Sequence, residues 1–197
     1  MTAEIDFELL KSKDPKIKYG FAKKLLELVR LEPQLLYPYF SQFVDLLKSE
    51  NKIIKWTAID IIGLLAMVDK ENKVDGQVGP LISILSCGNL ITVNHAIFSL
   101  GKIAEVKPQF LPVIITELLK IEHYNFETTE CRNIAAGKVI ETFGSFIDAV
   151  NNDKRVLDFT ERATHNTRNA TKKKALLLLR KLEKAKAYYQ PKLLKIG

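Results

Sequence analysis

Cysteine is scarce in this chain of 197 residues: Cys87 and Cys131 stand far apart, with no Cys-x-x-Cys pair and no metal-ligand spacing. A disulfide framework and a zinc site are therefore not expected, and a reducing, cytoplasmic setting is. Nine glycines and seven prolines are too few for a collagen-like or low-complexity chain. The opening residues, Met1 to Asp6, are acidic and are followed by no apolar run, so no secretory leader is expected. No segment alternates with period two as a half-buried strand would. Walker A loops, dinucleotide fingerprints, Gly-x-Ser-x-Gly elbows and His-Glu-x-x-His motifs are all missing. His95, His123 and His165 are scattered, with no carboxylate or cysteine spaced to orient them. The expectation is a chain with no catalytic residue, no metal and no cofactor.

Charge is missing altogether from Gly76 to Gly101, a stretch rich in Ile, Leu and Val. Pro80, Gly88-Asn89 and Asn94-His95 divide it into two short helices, each too short to span ~30 Å of hydrocarbon. It reads as the buried centre of a soluble array, without a transmembrane segment. Gly76-Gln77-Val78-Gly79 matches an RNA-binding Gly-x-x-Gly loop by letters, but that loop needs a sheet beside it, and a helix-entry turn is the simpler reading.

What is present is a period. Ala22, Ala58, Ala96, Ala135 and Ala175 recur at spacings of 36, 38, 39 and 40 residues. Each sits in a similar apolar template, such as Leu25, Leu26 and Val29 after Ala22, or Leu178, Leu179 and Leu182 after Ala175. Offsets of three, four and seven define one stripe of a helix. A period of 20 to 50 residues marks stacked helical repeats. Alanine at the centre lets neighbouring backbones approach to the short end of the ~8 to 10 Å helix-packing range. Gly63 and Gly101, each five after its alanine, predict still closer approach.

Second helices lie between, with stripes Leu36, Phe40, Phe43 and Leu47, then Val78, Leu81, Ile82 and Leu85, then Leu111, Ile114, Ile115 and Leu118. They open near prolines, which a first helical turn tolerates. Turn signals at Ser49 to Asn51, Asp69 to Asn72, Cys87 to Asn89, Asn125 to Thr128, Asn151 to Asp153 and Asn166-Thr167 separate the segments. The pattern predicts about ten helices and no sheet. Five repeats are expected at about 14–50, 51–88, 89–125, 126–166 and 167–190, in a single domain with an N-terminal cap at 3–12 and a basic capping tail at 188–197.

Ile54-Lys55-Trp56-Thr57-Ala58, continuing through Ile62-Gly63 to Ala66, resembles the first helix of a HEAT repeat. Cys131-Arg132-Asn133-Ile134-Ala135-Ala136 is a looser match, and Leu100-Gly101 with Ala104 is the latter half of a third. Lys18-Tyr19 and Thr92-Val93 depart from the aliphatic-basic pair, which leaves the subfamily, armadillo-like variants included, open. The resemblance implies an all-α, right-handed α-α superhelix of about five helix pairs, with second helices lining a concave face. It implies no activity by itself.

On that concave face the resemblance places Gln42, Asp45, Lys48, Ser83, Ser86, Thr116, Glu117 and Lys120. Their mixed, weak charge suits a protein or peptide partner better than a polyanion. The alternative is nucleic-acid binding at the C-terminal end, where 13 Lys and Arg face three acids from Lys154 onward, a balance of +10 against −3 for the rest of the net +7. Arg168, Lys172, Lys173, Lys174, Arg180, Lys181 and Lys184 form this basic patch. Leu176 and Leu177 lie off the apolar stripe of their helix, so either the tail covers them, through Leu193, Leu194 and Ile196, or the chain self-associates there. A third reading, a HEAT-like DNA glycosylase, would need an aromatic-carboxylate cluster on the concave face. Trp56 and Asp60 are instead on a first helix, where Trp56 is expected to pack on a neighbour and Asp60 to be solvated or paired with a lysine.

Overall fold

The computed structural model describes residues 5–189, with side chains as far as Ala185. In chain order its helices are α1 (Pro15–Leu31), α2 (Pro33–Leu36), α3 (Phe40–Leu46), α4 (Lys52–Leu65), α5 (Val78–Ile84), α6 (Leu90–Val106), α7 (Leu111–Leu119), α8 (Thr129–Phe143), α9 (Ile147–Val150), α10 (Lys154–Ala163) and α11 (Asn169–Tyr189). Short 3-10 turns, the first at Phe7–Lys11, connect or precede them, and no strand occurs among the described residues.

The helices begin where a short polar side chain takes up free backbone N–H groups. Asp14 accepts from the N–H of Lys16, Asn51 from those of Ile53 and Ile54, Asn89 from Thr92, Thr128 from Cys131 and Asp153 from Arg155. All but Asp14 belong to the turn clusters legible in the sequence. Against about ten expected, the described residues hold eleven: two of the second helices are cut in two, and no second helix follows α11 among the described residues. Pro38 sits in a 3-10 turn between α2 and α3, and Asp153 caps α10 afresh after α9. Gly76-Gln77 lies in a 3-10 turn entering α5, the helix-entry reading.

Each expected span holds one long helix, and the five alanines fall on α1, α4, α6, α8 and α11 in turn, all buried. The long helices pack in chain order, α1 on α4, α4 on α6, α6 on α8 and α8 on α11. Short α3, α5 and α10 each pack against the long helix that follows them, α4, α6 and α11. Buried apolar residues from Leu10 to Leu182 form one continuous cluster.

Close approach occurs where the small residues stand. A Cβ built on Gly63 would lie 2.5 Å from Ser99 Cα, and one on Gly101 would lie 2.5 Å from Thr142 Cγ2. Gly137, which the periodicity does not single out, is as tight: its Cβ would lie 2.7 Å from Thr171 Oγ1.

Two expectations about polar residues are corrected. Asp60 is neither solvated nor paired with a lysine. It is buried, and its Oδ1 lies 2.8 Å from His95 Nδ1. His95 therefore has the orienting carboxylate that its sequence neighbours do not supply, because the partner stands 35 residues away, across the α4–α6 contact. Trp56 does pack on the neighbouring helix: its ring stacks on His95 with centroids 5.5 Å apart, and its Nε1 donates to Thr92 Oγ1 at 2.8 Å.

A second buried polar cluster fixes the loop after α4. Lys107, just past the end of α6, reaches Asp69 at 2.9 Å, Asp75 at 2.5 Å and Asn72 at 3.0 Å. Asp69 also accepts from the Tyr37 hydroxyl at 2.6 Å and from the N–H groups of Lys73 and Val74. Burial pushes the Asp69 carboxyl up, but these hydrogen bonds outweigh it and hold the group below the ordinary aspartate range. Burial likewise pulls Lys107 down, and Asp75 and Asp69 overcome it, leaving the ammonium above the ordinary lysine range.

Candidate partner-binding surfaces

The eight residues expected to face a partner are spread over three short helices. Gln42, Asp45 and Lys48 are exposed on α3 and the turn after it, and they line one cleft with Phe7, Lys11 and Lys18. Ser83 and Ser86 on α5 and its end are exposed and donate locally, to the carbonyls of Gly79 and Ser83. On α7, Thr116 donates to the Pro112 carbonyl and accepts from Arg155 of α10 at 3.0 Å. Glu117 pairs with Lys120 at 2.6 Å, which raises the lysine, and accepts from the Tyr124 hydroxyl. No hydrogen bond among the described residues joins one of the three groups to the next.

The basic patch divides in two. Arg168 is held by Glu130 and Lys174 by Glu141, each at 2.8 Å, and both acids come from α8. The Lys174 hydrogen bond is the largest influence on Glu141 and keeps its carboxyl below the ordinary glutamate range. Among the described residues no carboxylate pairs with Lys172, Lys173, Arg180, Lys181 or Lys184. Leu176 and Leu177 between them are 43% and 55% exposed. Leu177 and Lys181 also line a cleft with Glu141 and Lys174, between α8 and α11. The tail expected to cover these leucines, from Gln190 onward, lies outside the described residues.

One surface was missed by the sequence reading. Leu31, Met67 and Val106 are 79%, 63% and 43% exposed. They stand at the end of α1, in the turn just after α4 and at the end of α6, nine, nine and ten residues past their alanines. Met67 and Val106 border one cleft of about 200 Å³ with Arg30, Leu64 and Lys102. The signal was in the sequence, as apolar residues recurring with the repeat. They fall at helix ends, however, where a stripe read along the helix axis stops.

No group of three or more His, Cys, Asp or Glu side chains placed to hold a metal ion occurs among the described residues. No described helix is long and apolar enough to cross a membrane. No protein-family model matches the chain, and no match was found among curated proteins. Among solved structures, the crystal structure of an engineered protein is similar at a TM-score of 0.48 and 16% identity, over 90% of this chain and 95% of that one. Likeness at that level assigns neither an architecture nor an activity.

Proposed function

We propose that the chain is a HEAT-type scaffold that binds another protein and catalyses no reaction, its long helices being the first helices of a right-handed α-α superhelix. The observation that carries this reading is the row Leu31, Met67 and Val106. Single exposed apolar residues are ordinary on protein surfaces, but here three recur at the ends of consecutive packed helices, and two of them, Met67 and Val106, border one cleft. Methionine at its centre adapts its shape to a partner.

The row also constrains what binds. Packed helices stand about 8 to 10 Å apart, so the row repeats at roughly that interval. A helix rises about 10.5 Å in seven residues. The partner segment is therefore an amphipathic helix lying across α1, α4 and α6, with apolar side chains every seventh residue.

Display selection of helical peptides on the full chain tests this. Recovered peptides should carry the seven-residue apolar spacing, and Leu31→Glu or Met67→Glu should weaken them about tenfold or more. Peptides that bind both variants undiminished would sink the proposed surface.

A further inference from the structure

Successive long helices meet through recurring positions. On α4, Trp56 touches Thr92, Asp60 touches His95 and Gly63 closes on Ser99, all on α6. Gly101 of α6 closes on Thr142 of α8, while Asn133 and Gly137 of α8 meet Thr167 and Thr171 near and in the start of α11. On α1 the positions two before, two after and five after the alanine, Gly20, Lys24 and Glu27, are exposed. On α4, α6 and α8, however, the residues named above that meet the next helix stand at one or more of these positions. On α11 these positions are Lys173, Leu177 and Arg180. No further helix covers them among the described residues, and both leucines of the face, Leu176 and Leu177, are open to solvent.

This face differs from those before it in two ways. The glycine that lets α4 and α6 approach their successors is an arginine here, so an occupant stands farther off. Three cations, Lys173, Arg180 and the neighbouring Lys181, lack a carboxylate among the described residues, and burying them without one would be costly. Toward α8, Glu130 and Glu141 meet the same requirement for Arg168 and Lys174, and Glu141 borders the cleft that Leu177 and Lys181 also line.

Charge decides among the occupants. A second copy using the same face would oppose lysine to lysine. A second copy offering the free side of α1 would set Lys18 against Lys173, and the turn Phe7–Lys11 already packs on α1. Residues 190–197 carry Lys192 and Lys195 and no acid. A phosphate polymer would use the cations and leave the two leucines without a role.

We propose that Lys173, Leu176, Leu177 and Arg180, with Lys181 at the edge, form a docking face for an acidic amphipathic helix of another protein. The face rests on the stacked order of the long helices and is separate from the row of Leu31, Met67 and Val106.

The test is fluorescence anisotropy on the full chain. The probe is a synthetic peptide of about 18 residues, roughly five helical turns, with leucines on one face and glutamates on both flanks. Its controls are a scrambled peptide of the same composition and a DNA duplex. Measured on the Met67→Glu chain, so that the apolar row does not contribute, saturable binding that drops about tenfold or more when Leu177→Glu or Arg180→Glu is added supports the proposal. Both substituted side chains are exposed, and circular dichroism verifies that each variant folds. Any of four outcomes overturns it: no binding of the probe, equal binding of the scrambled peptide, tighter binding of the duplex, or a dimer of the wild-type chain that Leu177→Glu dissociates. Loss of binding in Met67→Glu with Leu177→Glu unaffected would overturn it too, while leaving the apolar-row reading intact.

Discussion

Gly63 and Gly20 are both helical glycines, and they should respond to alanine in opposite directions. At Gly63 the new Cβ meets the Ser99 backbone at 2.5 Å, and backbone does not move aside cheaply. Gly63→Ala should cost about 1 to 3 kcal/mol by overpacking. Nothing lies within 4 Å of Gly20, so Gly20→Ala should stabilise α1 by about 0.4 to 1 kcal/mol. Urea unfolding of the two variants measures both signs. Lys107→Met removes the ammonium from a shielded Asp69 and should cost about 3 to 5 kcal/mol, because a buried carboxylate then loses its charge partner. The pH dependence has a definite sign. The Asp69 carboxyl is held low in the fold, so its contribution is present above the unfolded value of about 3.9 and lost as pH falls through the folded one. The raised Lys107 contributes below its unfolded value of about 10.4 and is lost as pH rises through the folded one. Stability measured from neutral pH downward should fall less steeply in Lys107→Met than in the wild type.

At the level of the element, capping and cross-helix polar contacts hold each long helix in register. Asn51 caps two N–H groups of α4, and its Nδ2 donates to the Tyr19 hydroxyl of α1 at 3.1 Å. Asn51→Ala should therefore cost about 1 to 2 kcal/mol, the upper part of the range for a cap, and thermal unfolding would show it. The cap itself was legible, since a polar turn before an apolar run is a local signal. The tie to Tyr19 was not, because it joins residues 32 apart. His95 makes the same point more sharply. Its sequence neighbours suggest no orienting carboxylate, yet Asp60 is bonded to it, because stacking two helices brings together residues about one repeat apart.

For the whole molecule, the stacking order predicts unequal protection. Helices α4 and α6 are covered by long helices on both sides, whereas among the described residues α11 is covered on one. Amide hydrogen exchange should be slowest in α4 and α6 and fastest along the C-terminal half of α11, since local opening follows the amount of buried contact. Protection in α11 equal to that in α6 would mean that its free face is occupied in solution. The candidate surfaces were only half legible at this scale. The basic patch was read from composition, but its division, among the described residues, into two paired and five unpaired cations depends on where α8 places Glu130 and Glu141.

Local pattern by itself determined the all-helical class, the five long helices, the alanine that each buries and the glycines through which two of them approach their neighbours. Those features follow from periodicity and turn chemistry, which act over a few residues and are written in consecutive letters. Tertiary structure decided which polar residues meet, which cations are neutralised and which apolar residues are left in water. Each of these depends on side chains about one repeat apart, and on whether another helix lies beyond them.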